Sequence, residues 1–491
     1  SCRIMKMKIK DHYPVFLILI FLIVLKIVFS LTRFHYIHWD ESVYLGIGKY
    51  IYSFGQVGLL EHIRPPVMPL LLGVFWFLKL PYVFFSELLM LFFSLGSVLL
   101  VYLVAKDLFN KWVAVIAAGL LVITPVFLYG TFSILAGVPT SFFILLSIYL
   151  YIRNSNLFLV GLFAGMAALT KFPAGLLFLG LLIVLGFDLF GKKIRLKEQL
   201  NSYARFFIGF VGPLIPFCIF NYLSYRQYTS SAFDAIFRPW LLGSLHQANV
   251  VHQVSSVLSN LLYYPIQLIQ QNPLLVFFFI GMFFLSKKRV LYVPLVLFVL
   301  YFTLIINKQV RFSLLFLPLV SVVASVGLYN SVKYIKRLKS RTIVYFVLFL
   351  LVLVSISWTF TNIVPEYRLF PEEKPEIVEQ YYKYFENHEV SGNILSTDPI
   401  FVAYSDVKIV PYYNNVGDAI EVYDFSIQNS VAVVYHESFY PCFTEECEGL
   451  KKGFFERIVG ENELVFNETI QGETRYIFLT PHYYFLEELK N

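Results

Sequence analysis

PVFLILIFLIVLKIVFSL, residues 14–31, decides the class of this chain. It is an apolar run broken by one Lys, long enough as a helix to cross the roughly 30 Å of hydrocarbon in a bilayer. A cleaved leader has a shorter apolar core and stands alone, whereas comparable runs recur along this chain, so the segment is expected to stay in the mature protein. Of the 491 residues, 58% are hydrophobic, 19% aromatic and only 14% charged, and the mean hydropathy is +0.68. No ordinary soluble domain has that composition. The chain reads as a polytopic membrane protein.

Charge divides it in two. Residues 1–360 hold 30 Lys and Arg against 9 Asp and Glu, whereas residues 361–491 hold 9 against 23. The first part reads as a transmembrane domain, and the second as a water-exposed domain of ordinary size. The overall positive charge is therefore no sign of nucleic acid, and none is expected as a partner.

Crossings are expected at 14–31, 84–105, 112–129, 133–152, 157–171, 173–190, 207–224, 272–285, 290–306, 312–330 and 342–360. With these, the basic stretches at 6–10, 191–197, 286–289 and 333–341 fall on one side, which the positive-inside trend makes cytoplasmic. The N-terminus is then cytoplasmic and the C-terminal domain extracytoplasmic, in a multi-pass cell-membrane protein. The apolar runs 65–80 and 261–269 would break this parity if they crossed, and read as juxtamembrane or re-entrant pieces on the outer side. With redrawn boundaries the total would be twelve or thirteen.

After the first crossing comes FHYIHWDESVYLGIGKYIYSFG, residues 34–55, with Asp40 and Glu41 side by side. Acids are scarce here, and an ionisable residue at membrane depth is costly unless it is used. Asp40 also fits the N-cap of an amphipathic helix running to about Phe54; the two roles are compatible, since a cap holds the carboxylate in place. Tyr44, Glu61 and His62 follow as further candidates. Then come EHIRPPVMPLLLG (61–73), GLFAGMAALTKFPAGLL (161–177) and NKQVRFSLLFLPLV (307–320).

In these four elements and their order the sequence resembles the GT-C superfamily of polyprenyl-phosphate-sugar glycosyltransferases, close to the protein O-mannosyltransferase and aminoarabinose (lipid A) transferase families. The resemblance covers roughly residues 12–330: an acidic DE pair opening the first outer loop, a PP segment, a G-x-x-x-L-T-K signature and a K-x-x-R-[YF] run. It implies an all-α polytopic membrane fold of about 11–13 helices with a C-terminal extracytoplasmic α/β domain. It also implies transfer of a hexose or pentose from a polyprenyl (dolichyl) monophosphate to a hydroxyl on the outer side, inverting the anomeric centre in one displacement. The acceptor is a protein, a glycan or a glycolipid, and membrane lipids surround the site.

That chemistry needs a base to take the hydroxyl proton, and a carboxylate within ~3 Å serves. Asp40 is the candidate, with Glu41 beside it. The departing lipid phosphate needs fixed cations, for which Arg64, Lys171, Lys308 and Arg311 are candidates. Arg311 is favoured because a guanidinium grips phosphate with two prongs. As plainer alternatives, Lys308 and Arg311 are loop surface charges and Lys171 snorkels from a helix end.

The sequence departs from the family at FSILAGVPTSFF (132–143), where Gly137 stands in place of a second Asp. This puts a two-carboxylate metal site in doubt. No cofactor is expected, and no residues show zinc or magnesium ligand spacing. His35, His38 and His62 lie near the acids, but read more simply as hydrogen-bonded loop residues. In the long outer stretch 225–255, Arg238, Trp240 and His246 line an acceptor groove or pack at the interface.

In the tail, KPEIVEQYYKYFENHE (374–389) has helical periodicity, NILST and VAVVYHE read as buried strands, and DPIFVAYS as a short helix. Cys442 and Cys447 suggest a local disulfide, with free thiols as the alternative, and Asn467 heads an NET sequon. Two rival functions stay open: an oligosaccharyltransferase-like or arabinofuranosyl-transferring relative, and a lipid or sugar transporter. The repeats and paired broken helices of transporters are not evident in the sequence.

Overall fold

In a computed structural model of the chain, the described residues are 12–490, less 33–35, 62, 191–195, 227–228, 239–256, 286–287, 306–307, 336–341, 343–345, 347–348, 359–360, 362–376, 391, 413–414, 437–441, 443 and 471–472. His35, His62, Trp240 and His246 lie outside them, as do most of the four basic stretches. The chain forms two compact units. The first comprises residues 1–33, 62–67 and 86–370, and the second residues 34–61, 68–85 and 371–491. The division is thus not a single cut near residue 360, because most of the first loop belongs with the tail.

The first unit is helical. Its opening elements are α1 (Tyr13–Thr32), α4 (Tyr82–Leu108, whose first turn lies in the second unit), α5 (Lys111–Val122), α6 (Pro125–Phe132), α7 (Gly137–Ile152), α8 (Leu157–Thr170), α9 (Leu176–Phe190) and α10 (Leu196–Tyr225). Further helices follow at Val257–Gln271, Arg289–Leu304, Leu317–Ile335 and Phe349–Trp358. Among the described residues, helix covers most of each expected crossing, and part of the one expected at 342–360 lies outside them. Among the described residues, four helical stretches, 13–31, 82–108, 172–189 and 197–225, are singly long and apolar enough to span a membrane.

The expected crossing at 112–129 is instead two helices, α5 and α6, bent by 65°. The reason is local: Thr124 is extended and Pro125 opens α6, since a residue before proline avoids the helical region and proline has no N–H to donate. The crossing expected at 312–330 begins later, at Leu317, because 310–315 is a 3-10 turn. The helix α3 (Val67–Phe77) has 11 residues and Val257–Gln271 has 15, lengths close to those of α5, α7 and α8, so length alone does not separate them from the expected crossings.

Close helix packing in this unit depends on missing side chains. A Cβ at Gly161 of α8 would lie 2.1 Å from the Phe206 carbonyl oxygen of α10, and one at Gly209 of α10 would lie 2.1 Å from that of Phe158. Reciprocal glycines let the two backbones touch, the small-residue packing that membranes favour.

The second unit is an α/β layer. Five strands, β1 (Asn393–Ser396), β2 (Lys408–Pro411), β3 (Ser430–His436), β4 (Glu463–Ile470) and β5 (Glu473–Leu479), form one sheet in the order β2-β1-β3-β5-β4. β1 pairs in parallel with both β2 and β3, whereas β5 is antiparallel to β3 and β4. β3 is buried throughout and serves both faces. One face packs with Phe401, Tyr381 and Tyr382 and also takes Val43, Ile47 and Leu59 from the first loop. The other packs Tyr423, Phe454 and Ile458, from the helices Val416–Ser426 and Glu445–Glu461. The loop also closes the edge of the sheet. Gly58, at φ +91, forms a parallel bridge to Lys408 of β2, donating to the Val407 carbonyl and accepting from Ile409 N–H, both at 2.8 Å. An otherwise open edge is thereby paired.

Candidate active site

The acidic pair sits at the start of α2 (Trp39–Tyr52). The N-cap is His38, one position earlier than the Asp40 cap that local propensity suggests, and Glu41 closes the turn by accepting the His38 backbone N–H at 2.9 Å. A carboxylate three residues into a helix satisfies an orphan donor and complements the helix dipole. Glu41, 1% exposed, is therefore committed to the turn. Asp40 is half-buried in the same turn, and Tyr44 is buried one turn further along.

Two anchors fix this helix within its unit. Ahead of it, the Tyr36 hydroxyl donates to that of Tyr382 at 2.8 Å, which donates in turn to the Asp398 carboxylate at 3.1 Å. Near its end, Lys49 donates to Asp406 at 2.7 Å and to the Ser405 carbonyl at 3.1 Å. Burial pulls the Lys49 pKa down, and the neighbouring Asp406 pushes back. Gly48 lets α3 approach: a Cβ there would lie 2.8 Å from the Pro69 carbonyl oxygen. The tail side of these anchors was missed in the sequence, where nothing marks Tyr382, Asp398 or Asp406 as partners of residues more than 300 positions earlier.

The candidate cations lie in the first unit. Lys171 ends α8, and its ammonium sits 4.5 Å from the centre of the Phe312 ring. The Arg311 guanidinium lies 6.0 Å from the centre of that same ring, with Nε donating to Gln309 at 2.5 Å. The G-x-x-x-L-T-K and K-x-x-R-F runs thus bring two half-buried positive charges to one aromatic ring, each within cation–π range of it. Lys308 is engaged differently. It donates to the carbonyls of Phe302 and Thr303 at 2.6 and 2.7 Å, closing the end of the helix Arg289–Leu304, and burial lowers its pKa. Arg64 is half-buried in the turn before α3, in the first unit, whereas Glu61, also half-buried, belongs to the second. Arg238 is exposed and pairs with Asp234.

Gly137, at the start of α7, has its would-be Cβ 2.6 Å from a methyl of Leu314. The place of a second carboxylate is filled by that leucine. Among the described residues, no three His, Cys, Asp or Glu side chains group as metal ligands do. Cys442 and Cys447 form the expected disulfide, and Asn467 is exposed on β4 opposite Tyr476.

A family model described as dolichyl-phosphate-mannose-protein mannosyltransferase matches residues 63–217, about a third of the chain. No curated protein matches in sequence. Among solved structures, the oligosaccharyltransferase AglB from Archaeoglobus fulgidus, in complex with an inhibitory peptide and a dolichol-phosphate, superposes with a TM-score of 0.59 at 14% identity over 95% of this chain and 74% of that one. ArnT from Cupriavidus metallidurans, bound to undecaprenyl phosphate, gives 0.62 at 12% identity over 95% and 98%. The fold is that of the GT-C glycosyltransferases, a multi-pass helical membrane architecture with a C-terminal sheet.

Proposed function

We propose, from the place of this glycosyltransferase in the GT-C superfamily, that it moves a sugar from a polyprenyl (dolichyl) monophosphate to a hydroxyl acceptor, with inversion. The observation that carries the reading is the meeting of Lys171 and Arg311 at Phe312, residues of two separate signature runs. Two half-buried cations at one buried ring suit the charge that grows on a leaving phosphate. Asp40 is the general base: Glu41 is held in the helix cap, and Asp40 stands on a helix turn fixed at both ends. Lys308 supports the loop through carbonyls, and Lys171 and Arg311 take the phosphate. In the single displacement, the acceptor oxygen bonds to C1 as the C1–phosphate oxygen bond breaks. The acceptor proton goes to Asp40, and the lipid phosphate leaves with the bonding pair.

Asp40→Asn tests the assignment, because it keeps size and hydrogen bonding but removes the base. Transfer by the purified chain should be lost while donor binding is kept; near-normal turnover would overturn the role. The reading also places the site outside the cell. In a chain otherwise free of cysteine, an impermeant thiol reagent on intact cells should label Gln428→Cys and spare Lys193→Cys. The reverse pattern would overturn that orientation.

A further inference from the structure

In the second unit a cleft of about 840 Å³ opens among the ends of α2 and α3, the segment 385–390 and the turn 403–407. That volume lies within the roughly 300–1,000 Å³ typical of small-molecule sites. Tyr52, Trp76 and Phe77 supply aromatic walls, and Asp406, Glu386 and Glu389 supply carboxylates. Asp406 is held rigidly: its Oδ1 accepts from Lys49 at 2.7 Å and from the Trp76 indole N–H at 2.9 Å. Lys49 is itself 2% exposed and lies 4.8 Å from the centre of the Tyr82 ring. The Asp406 side chain is nevertheless 60% exposed, so a fixed carboxylate is presented beside an indole.

The chemistry of the lining narrows the occupant. Three carboxylates disfavour a phosphate, since Lys49 is already paired and Lys79 alone opposes them. An apolar ligand would strip water from those carboxylates and return no hydrogen bond. With Lys49 paired to Asp406, two carboxylates face Lys79 alone, a small negative excess that turns away anions and leaves acceptors for a neutral polyhydroxy ligand. Its hydroxyls donate to carboxylate oxygens, the stronger kind of hydrogen bond, and its C–H faces lie on the electron-rich aromatic faces.

We propose that this cleft holds a saccharide, the glycan part of the acceptor, bound apart from the reacting hydroxyl. The substrate class rests on the glycosyl-transfer reading; the binding itself can be measured without turnover. Saturation-transfer NMR on the full chain in nanodiscs, with mannotriose, maltotriose, chitobiose and arabinotriose as probes, should give transfer to at least one. Trp76→Ala, and separately the exposed pair Glu386→Gln with Glu389→Gln, should each weaken that binding at least about tenfold, the effect of losing an aromatic wall or the charged acceptors of the cleft. Asp40→Asn should leave it unchanged. If Trp76→Ala fails to fold, the carboxylate pair decides alone. Binding of spermidine in place of every sugar, no sugar binding at all, or sugar binding indifferent to the variants would overturn the proposal. Full transfer by Asp40→Asn would instead overturn the base while leaving the cleft as measured.

Discussion

The hydroxyls of Tyr36 and Tyr382 lie 2.8 Å apart, although 346 residues separate them in the chain. Tyr382 passes the contact on to Asp398, which is 2% exposed. The backbone ahead of the acidic pair is thereby tied to the floor of the tail domain. Tyr36→Phe removes one hydrogen bond at the rim and should cost about 1 kcal/mol. Tyr382→Phe takes a donor from a buried carboxylate and should cost about 2–3 kcal/mol. If the relay holds Asp40 in its working position, kcat for transfer should fall in both variants with acceptor KM nearly constant. Denaturant unfolding and initial-rate kinetics on the same preparations check the two orders of effect.

Gly137→Ala tests why the second carboxylate is absent. The new methyl would lie 2.6 Å from a terminal methyl of the buried Leu314, which must shift to admit it, so the cost should be about 1 kcal/mol, the low end for overpacking. Leu314→Ala should relieve it, so the double variant should be more stable than the two separate costs add up to. A thermal-shift cycle in detergent reads the coupling; strict additivity would mean the clash is absorbed elsewhere.

Much of the fold was legible because apolar runs of helical length have few alternatives, and because VAVVYHE and NILST are apolar enough to be read as buried strands. The disulfide was legible from two cysteines five apart. The regrouping of the first loop with the tail was not, since its cause is long-range: Val43 and Ile47 carry the ordinary stripe of an amphipathic helix, and nothing local says that Tyr381 and Phe401 cover it. β4, at the edge of the sheet, and β5 beside it escaped notice because ELVFNETI and ETRYIFL mix charge with apolar residues and so lack the unbroken apolar run of a buried strand. At the candidate site, the signature cations were legible singly. Their convergence depends on Phe312, which in sequence reads as one more phenylalanine among 52.

His436 should make the tail acid-sensitive. It is buried on β3 and accepts from the Arg475 Nε at 3.1 Å; burial first and the guanidinium second push its pKa from 6.5 down to about 4. Between those values the unfolded chain binds the proton and the folded chain does not. Stability contributed by neutral His436 is therefore fully present above pH 6.5 and declines as pH falls towards 4. The slope from this one group should approach, but not exceed, about 1.4 kcal/mol per pH unit. Protease protection of β3 peptides in urea, at pH 7 and pH 5 on the full chain, should show the loss, and His436→Gln should flatten it.

Lys171 and Arg311 share one ring but should not be interchangeable. A guanidinium holds phosphate oxygens in two directions, whereas an ammonium is a point charge. Arg311→Ala should raise donor KM and lower kcat together, costing on the order of 2–4 kcal/mol in kcat/KM, with acceptor KM hardly moved. Arg311→Lys should recover only part, because it keeps charge without the fork. Lys171→Ala should act in the same direction but less, since one point charge is removed and the guanidinium stays. If both cations serve one phosphate, the double variant should cost less than the two single losses combined, because the second removal finds the anion site already broken. Phe312→Leu supplies the control: it removes the shared ring while keeping both charges, and should weaken each cation's placement without abolishing transfer. Unchanged donor kinetics in Arg311→Ala would remove the phosphate role and leave residues 308–312 as a structural turn.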